Sequence, residues 1–249
     1  MKTLSILFAG VIGVAMLSSV QGQHYIFNGD FKDWSDLTGT PPTGTPNGWS
    51  GDPVGQGPGL TTDRSYCALI EKGKMIYQTI NLKVEFSRNF LVTQDIAIMT
   101  GSGWQQPLIM SFQETGPDGA FIGRHDWIKI RIAGTTKGFS IHAYDGTATP
   151  PWQPVVNDVI MPSVYNPSNN TFDTKNAYTI SLTYHASLGS YVISYGELGQ
   201  STNKSVELKL FCEPTNGSGR LAFISYAGGG TGPRYSAAIG SVMVTTDTH

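Results

Sequence analysis

A two-sheet antiparallel β-sandwich is the fold class this chain predicts, on three observations. From Trp127 to Val244, short runs of alternating apolar and polar residues follow one another with no helical stretch between them. The 30 glycines and 14 prolines show no period, and with Asn and Asp they break the runs, which suits many tight turns. Apolar residues still make up 39% of the chain, which favours a packed core over disorder.

The elements follow in chain order. Lys2 gives a positive start, Leu4 to Met16 is apolar apart from Ser5 and two glycines, and Val20-Gln21-Gly22 supplies small residues where a signal peptidase reads. Residues 1–22 are therefore predicted to be a signal peptide cut after Gly22. A membrane anchor is the competing reading, but the apolar stretch is shorter than the ~20 residues a bilayer demands, and Gly10 and Gly13 weaken it. No second stretch could span a membrane, so the mature chain is expected to be secreted: extracellular, periplasmic or at the cell surface. About 227 residues remain after cleavage, and 23–249 is read as a single β-sandwich domain.

His24 to Asn81 is rich in punctuation. Pro41-Pro42, Pro46-Asn47-Gly48 and Asp52-Pro53 mark turns, and Gly55 to Gly59 reads as a loop in which glycine alternates with other residues. Tyr25-Ile26-Phe27 and Met75 to Leu82 read as short strands, Val84 to Met99 as one or two more, and Pro107 to Gln113 as another. Beyond these the alternation is clearer. In Trp127 to Ala133 the isoleucines 128, 130 and 132 share one face, leaving Trp127, Lys129 and Arg131 on the other. Phe139 to Asp145 sends Phe139, Ile141 and Ala143 inward, and Ser140, His142 and Tyr144 outward. Thr135-Thr136-Lys137-Gly138 is short enough to join the two as a hairpin, which would gather Trp127, Lys129, Arg131, His142 and Tyr144 on one sheet face. The same alternation recurs through Tyr178 to Tyr184, Tyr191 to Tyr195, Val206 to Leu210, Leu221 to Tyr226 and Ile239 to Val244.

Charge and cysteine usage limit the partners. Charged residues are 14% and the net charge is −2, so no basic stripe exists to neutralise a phosphate backbone, and nucleic acid is not an expected partner. Cys67 and Cys212 are consistent with one disulfide in an oxidising compartment, worth about 4 to 5 kcal/mol in the chain-entropy model for so long a loop; two separate buried thiols are the alternative. Asn169-Asn170-Thr171, Asn203-Lys204-Ser205 and Asn216-Gly217-Ser218 are glycosylation sequons if the source is a eukaryote. The oligomeric state is not legible.

Two resemblances emerge from these residues. Asn28-Gly29-Asp30-Phe31, then Pro46-Asn47-Gly48-Trp49 and Ile76-Tyr77-Gln78-Thr79-Ile80, resembles the opening of carbohydrate-binding jelly-roll modules of secreted bacterial proteins, in which the Gly-Trp pair belongs to the scaffold. Tyr144-Asp145-Gly146 with Trp152, then Tyr178 to Tyr195 and Leu221 to Val244, is similar in pattern to the concanavalin A-like lectin and laminin-G sandwiches. The resemblance implies an all-β jelly-roll sandwich. It implies sugar binding only by analogy, because the fold hosts many functions.

The residues narrow the chemistry. Sandwich enzymes that cleave β-glucans place two glutamates and an aspartate at alternate positions of one strand, but here no Glu-x-Asp-x-Glu stretch occurs and the six glutamates are solitary. Polysaccharide lyases on a similar scaffold use Tyr or His as base and Arg to neutralise a uronate; His142, Tyr144, Arg131 and Lys129 are the right residue types, without the characteristic lyase motifs. No Gly-x-Ser-x-Gly elbow is present. Gly55 to Gly59 and Gly228 to Gly232 lack the Lys-Ser or Lys-Thr of a phosphate cradle. The histidines 24, 125, 142, 185 and 249 show no metal-ligand spacing. Calcium, which lectin-like sandwiches often hold, would draw on Asp145, Asp158 and Asp173, here read as loop residues.

Sugar rings pack their C–H faces on Trp or Tyr. Trp104, in Gly103-Trp104-Gln105-Gln106, and Trp152, in Pro151-Trp152-Gln153-Pro154, lie in turn-rich segments beside amides and join the hairpin patch as candidate ligand contacts. The expectation is a non-catalytic glycan-binding sandwich. A carbohydrate-active enzyme such as a lyase, or a structural or adhesive surface domain, stands as the alternative. An ordinary solvated sheet face is the bland reading of the patch.

Overall fold

In the computed structural model, the described residues are 26–61, 66–80, 89–99, 108–115, 121–134, 138–145, 148–198, 204–209, 219–225 and 234–246. The segment expected to be a signal peptide, Trp104 and Cys212 lie outside them. The described residues form two large antiparallel sheets. One has nine strands, in spatial order β1 (Trp34–Thr38), β2 (Thr43–Pro46), β4 (Val54–Pro58), β5 (Tyr66–Glu71), β18 (Tyr235–Thr246), β7 (Phe90–Ile98), β14 (Tyr178–His185), β15 (Ser190–Glu197) and β16 (Lys204–Lys209). The other has seven: β11 (Trp152–Ile160), β10 (Phe139–Tyr144), β9 (Phe121–Gly134), β8 (Leu108–Thr115), β17 (Gly219–Ile224), β6 (Met75–Ile80) and β3 (Ser50–Gly51). A separate hairpin pairs β12 (Val164–Asn166) with β13 (Thr171–Thr174).

The chain crosses between the sheets repeatedly. It passes from β5 to β6, from β7 to β8 and finally from β17 to β18, so that β18 lies between β5 and β7 while β17 lies between β6 and β8. That nesting of late strands among early ones is the jelly-roll sandwich expected from the sequence.

Alternation decides what each strand buries. In β14, Tyr178, Ile180, Leu182 and Tyr184 are buried, and the residues between them are half-exposed. The inward positions of both sheets, among them Ile96, Phe112, Ile130, Ile141, Ile193 and Phe223, form one continuous apolar cluster. Each such side chain contributes about 1.5–3 kcal/mol on burial. A second, smaller cluster covers the other face of the nine-stranded sheet: Cys67, Leu69, Ala97 and Tyr235 pack beneath Tyr165 and Phe172 of the β12–β13 hairpin.

Three local expectations are corrected here. Ile26 and Phe27 do not form a strand; Phe27 is 63% exposed and its backbone N–H and C=O are both taken by the Gln78 side-chain amide, at 2.7 and 2.9 Å. Gly55 to Gly59 is no loop but mostly strand β4, where glycine is needed: a Cβ on Gly55 would meet the Tyr235 ring at 3.0 Å, and one on Gly57 the Cys67 sulfur at 2.9 Å. The expected Cys67–Cys212 bridge is not made at Cys67, which is a free thiol sealed on β5 between Gly57 and the second cluster.

The N-terminal turn is held by Asn28, whose backbone is in the left-handed region at φ 49°. Its side-chain nitrogen donates to the carbonyls of Asp33 and Asn47, its side-chain oxygen accepts from the Asp33 N–H, and its own carbonyl accepts from the Trp49 indole. Trp49 stacks on Phe31 with ring centres 5.2 Å apart and is buried, a scaffold role as the resemblance implied.

Candidate functional site

The outward face of β9, β10 and β11 assembles the candidate site. Register fixes who meets whom: Arg131 stands opposite Ile109 of β8 on one side and His142 of β10 on the other, His142 stands opposite Pro154, and Tyr144 opposite Trp152. The isoleucines 128, 130 and 132 are buried in the core, so Lys129 and Arg131 must leave the opposite face. Lys129, Arg131, His142, Tyr144 and Trp152 are each half-buried. These five side chains are partly exposed, whereas Ile109, Ser111 and Ser140 on the same face are buried.

Trp152 is the centre of this cluster. Tyr144 meets it edge-on, with ring centres 5.1 Å apart and an interplanar angle of 84°. The guanidinium of Arg131 reaches across β10 to lie 4.3 Å from the Trp152 ring centre. From below, the buried Tyr191 hydroxyl of β15 donates to the backbone carbonyl of Tyr144, tying this end of β10 to the opposite sheet.

Two polar atoms in the cluster are buried without a hydrogen-bond partner, Nε of Arg131 and Nδ1 of His142. An unsatisfied buried donor or acceptor costs about 1–3 kcal/mol, so their proximity marks a place where a ligand's polar groups are wanted. Burial lowers the Arg131 pKa from its ordinary value. Burial first, and the neighbouring Arg131 charge second, lower that of His142. The imidazole is therefore neutral at neutral pH and the guanidinium carries the charge.

The sequence-predicted residues fall as follows. Lys129, Arg131, His142 and Tyr144 share the expected face. Trp152 joins them, but as the first residue of strand β11 and not in a loop, which corrects its expected setting. Trp127 lies on β9 where the pairing jumps from Phe112 opposite Ile128 to Gln113 opposite Asp126, and its side chain is outside the described residues. Trp104 is outside them altogether. The calcium candidates are also displaced: Asp158 lies on β11 and Asp173 on β13, both strands, while Asp145 follows β10 directly. Among the described residues no three His, Cys, Asp or Glu side chains converge as a metal site.

Sequence reasoning missed the continuation of this face across β8, β17 and β6. Ser111 and Ala222 are paired and buried, and Ala222 pairs in turn with Tyr77. One residue pair away, Arg220 donates from Nε to the Gln113 side-chain oxygen at 2.7 Å and lies 4.4 Å from the Tyr77 ring centre. The signal was present in Leu108 to Thr115, where Ser111 and Gln113 alternate with Met110 and Phe112, but only strand pairing brings Arg220 beside them.

A pocket of about 280 Å³ lies elsewhere, lined by Leu60, Lys175, Asn176, Tyr178 and Glu197 among others. Its polar groups are largely committed: Asn176 bonds through its backbone and side chain to Ser163 and Pro162, and Tyr178 accepts from the Met161 N–H. It offers a ligand less than the Trp152 cluster does.

No protein-family model matches the chain, and no curated protein matches it. Among solved structures it is similar to lectin II from Ulex europaeus, at 9% identity and a TM-score of 0.49 over 86% of this chain and 97% of that one. It is also similar to the conserved carbohydrate esterase of the Shiga toxin-encoding bacteriophage phi24B, at 12% identity and a TM-score of 0.48 over 81% and 91%. The receptor-binding domain of a botulinum neurotoxin C/D mosaic serotype matches at 11% identity and a TM-score of 0.42, over 89% of this chain and 49% of that one. These likenesses concern overall shape.

Proposed function

We propose that this protein binds a glycan on the outward face of β9, β10 and β11 and does not turn it over. One observation carries the reading: an indole held edge-on by Tyr144 and capped by Arg131, with unpartnered polar nitrogens on Arg131 and His142 beside it. An apolar ring face next to unmet hydrogen-bonding groups matches what a sugar presents, a C–H face ringed by hydroxyls. The proposal includes export, supported by Lys2, the apolar run Leu4 to Met16 and the small residues before Gln23.

One observation favours a second reading. His142 is neutral beside Tyr144, the state a proton-abstracting base requires, so a polysaccharide lyase is the enzymatic alternative. Isothermal titration against a panel of oligosaccharides, with product analysis after long incubation, separates the two. Binding with intact saccharide supports the proposal, whereas cleavage that is lost in His142→Gln supports the lyase. No binding and no cleavage would leave a structural or adhesive role.

A further inference from the structure

We propose that the group recognised at this site is an anion carried by the saccharide, a carboxylate or a sulfate seated against Arg131. The inference rests on the glycan-binding reading and names the substrate class of the same face. Arg131 makes no ion pair and no hydrogen bond with any described residue, and its Nε is buried. Among the described side chains around it, Ile109, Ser111, Lys129, Ser140, His142 and Tyr144, none is a carboxylate.

A cation withdrawn from water without a counter-ion is costly, and a folded chain ordinarily answers with an acidic partner. Among the described residues it is the Trp152 ring, and no carboxylate, that restrains the guanidinium. Cation–π contact offsets part of the cost and orders the side chain, but it uses none of the in-plane N–H donors. Those donors form a planar fork whose natural match is a carboxylate or a sulfate. Lys129 stands two residues along the same face of β9.

The test titrates the full chain, at two salt concentrations, with three probes of similar length: oligogalacturonate, sulfated dextran oligosaccharide and neutral dextran oligosaccharide. Arg131→Gln and Arg131→Lys are run beside the native chain, with thermal melts to establish that each is folded. The expected result is that at least one acidic probe binds about ten- to a hundred-fold more tightly than the neutral one, and that salt weakens it. Arg131→Gln should remove that preference and Arg131→Lys restore only part of it. The stronger of the two acidic probes tells carboxylate from sulfate. Equal binding of neutral and acidic probes, or an acidic preference that survives Arg131→Gln, would overturn the inference and leave the glycan reading standing. Binding of none of them, nor of any member of a wider glycan panel, would overturn both.

Discussion

The guanidinium carbon of Arg131 lies 4.3 Å from the centre of the Trp152 ring, although the two residues sit on strands separated by β10. The contact couples β9 to β11 over the top of His142. A double-mutant cycle with Arg131→Met and Trp152→Ala, read by urea unfolding, should give a coupling energy of about 0.5–2 kcal/mol. Additive effects would mean that the stack contributes nothing to stability.

His142 predicts a pH dependence whose sign can be worked out. It faces Arg131 of β9 and Pro154 of β11, with Ser140 and Tyr144 beside it on β10 and Lys129 diagonally across; among the described residues the charge that acts on it is that of Arg131. Its folded pKa is held below the ordinary value of 6.5 by burial and by Arg131. The unfolded chain therefore binds the extra proton first. The stability tied to the neutral imidazole is full above about pH 6.5 and is lost as pH falls from there through the folded value. Melting temperatures measured between about pH 7 and pH 5 should fall less steeply for His142→Gln than for the native chain. Parallel slopes would show that this imidazole is not perturbed.

Cys67 should be inert. It is fully buried, and burial pushes its thiol far above the ordinary range. Iodoacetamide at about pH 8 should leave the Cys67 peptide unmodified in the native protein and alkylate it in guanidinium chloride, as read by mass spectrometry. A cross-linked Cys67–Cys212 peptide in a non-reduced digest would contradict the structure.

Gly29 joins the N-terminal turn to the last strand. Its carbonyl accepts from the Val242 N–H at 2.8 Å, and a Cβ on Gly29 would lie 2.0 Å from the Val242 carbonyl oxygen. Backbone must move to admit any side chain, so Gly29→Ala should cost about 1–3 kcal/mol in denaturant unfolding. A change of less than about 0.5 kcal/mol, the ordinary size of a surface substitution, would mean the turn is not docked as described.

Why some of this was legible and some was not follows from range. The inward isoleucines of β9 and the outward Arg131, His142 and Tyr144 are readable because a strand turns every second residue to the same face, a property of three to five neighbouring positions. The hairpin between β9 and β10 is equally local. Trp152 sits among Pro150, Pro151 and Pro154, and prolines so close together resemble a turn; only its pairing with Tyr144, on an edge strand that tolerates proline, makes it part of the sheet. The glycines of β4 likewise read as a loop until Tyr235, distant in sequence, is seen to occupy the space their side chains would take. Arg220 and Tyr77 reach the same face only through sheet order, which no local pattern encodes.

The most direct test of the central claim, that the face around Trp152 holds a glycan, is isothermal titration of the native chain and of Trp152→Ala with the best-binding oligosaccharide of the panel. Loss of about 1–3 kcal/mol of binding free energy in the folded variant is the expected result, in keeping with the removal of a central aromatic contact. Unchanged affinity in a folded Trp152→Ala protein would contradict the account and move the site elsewhere.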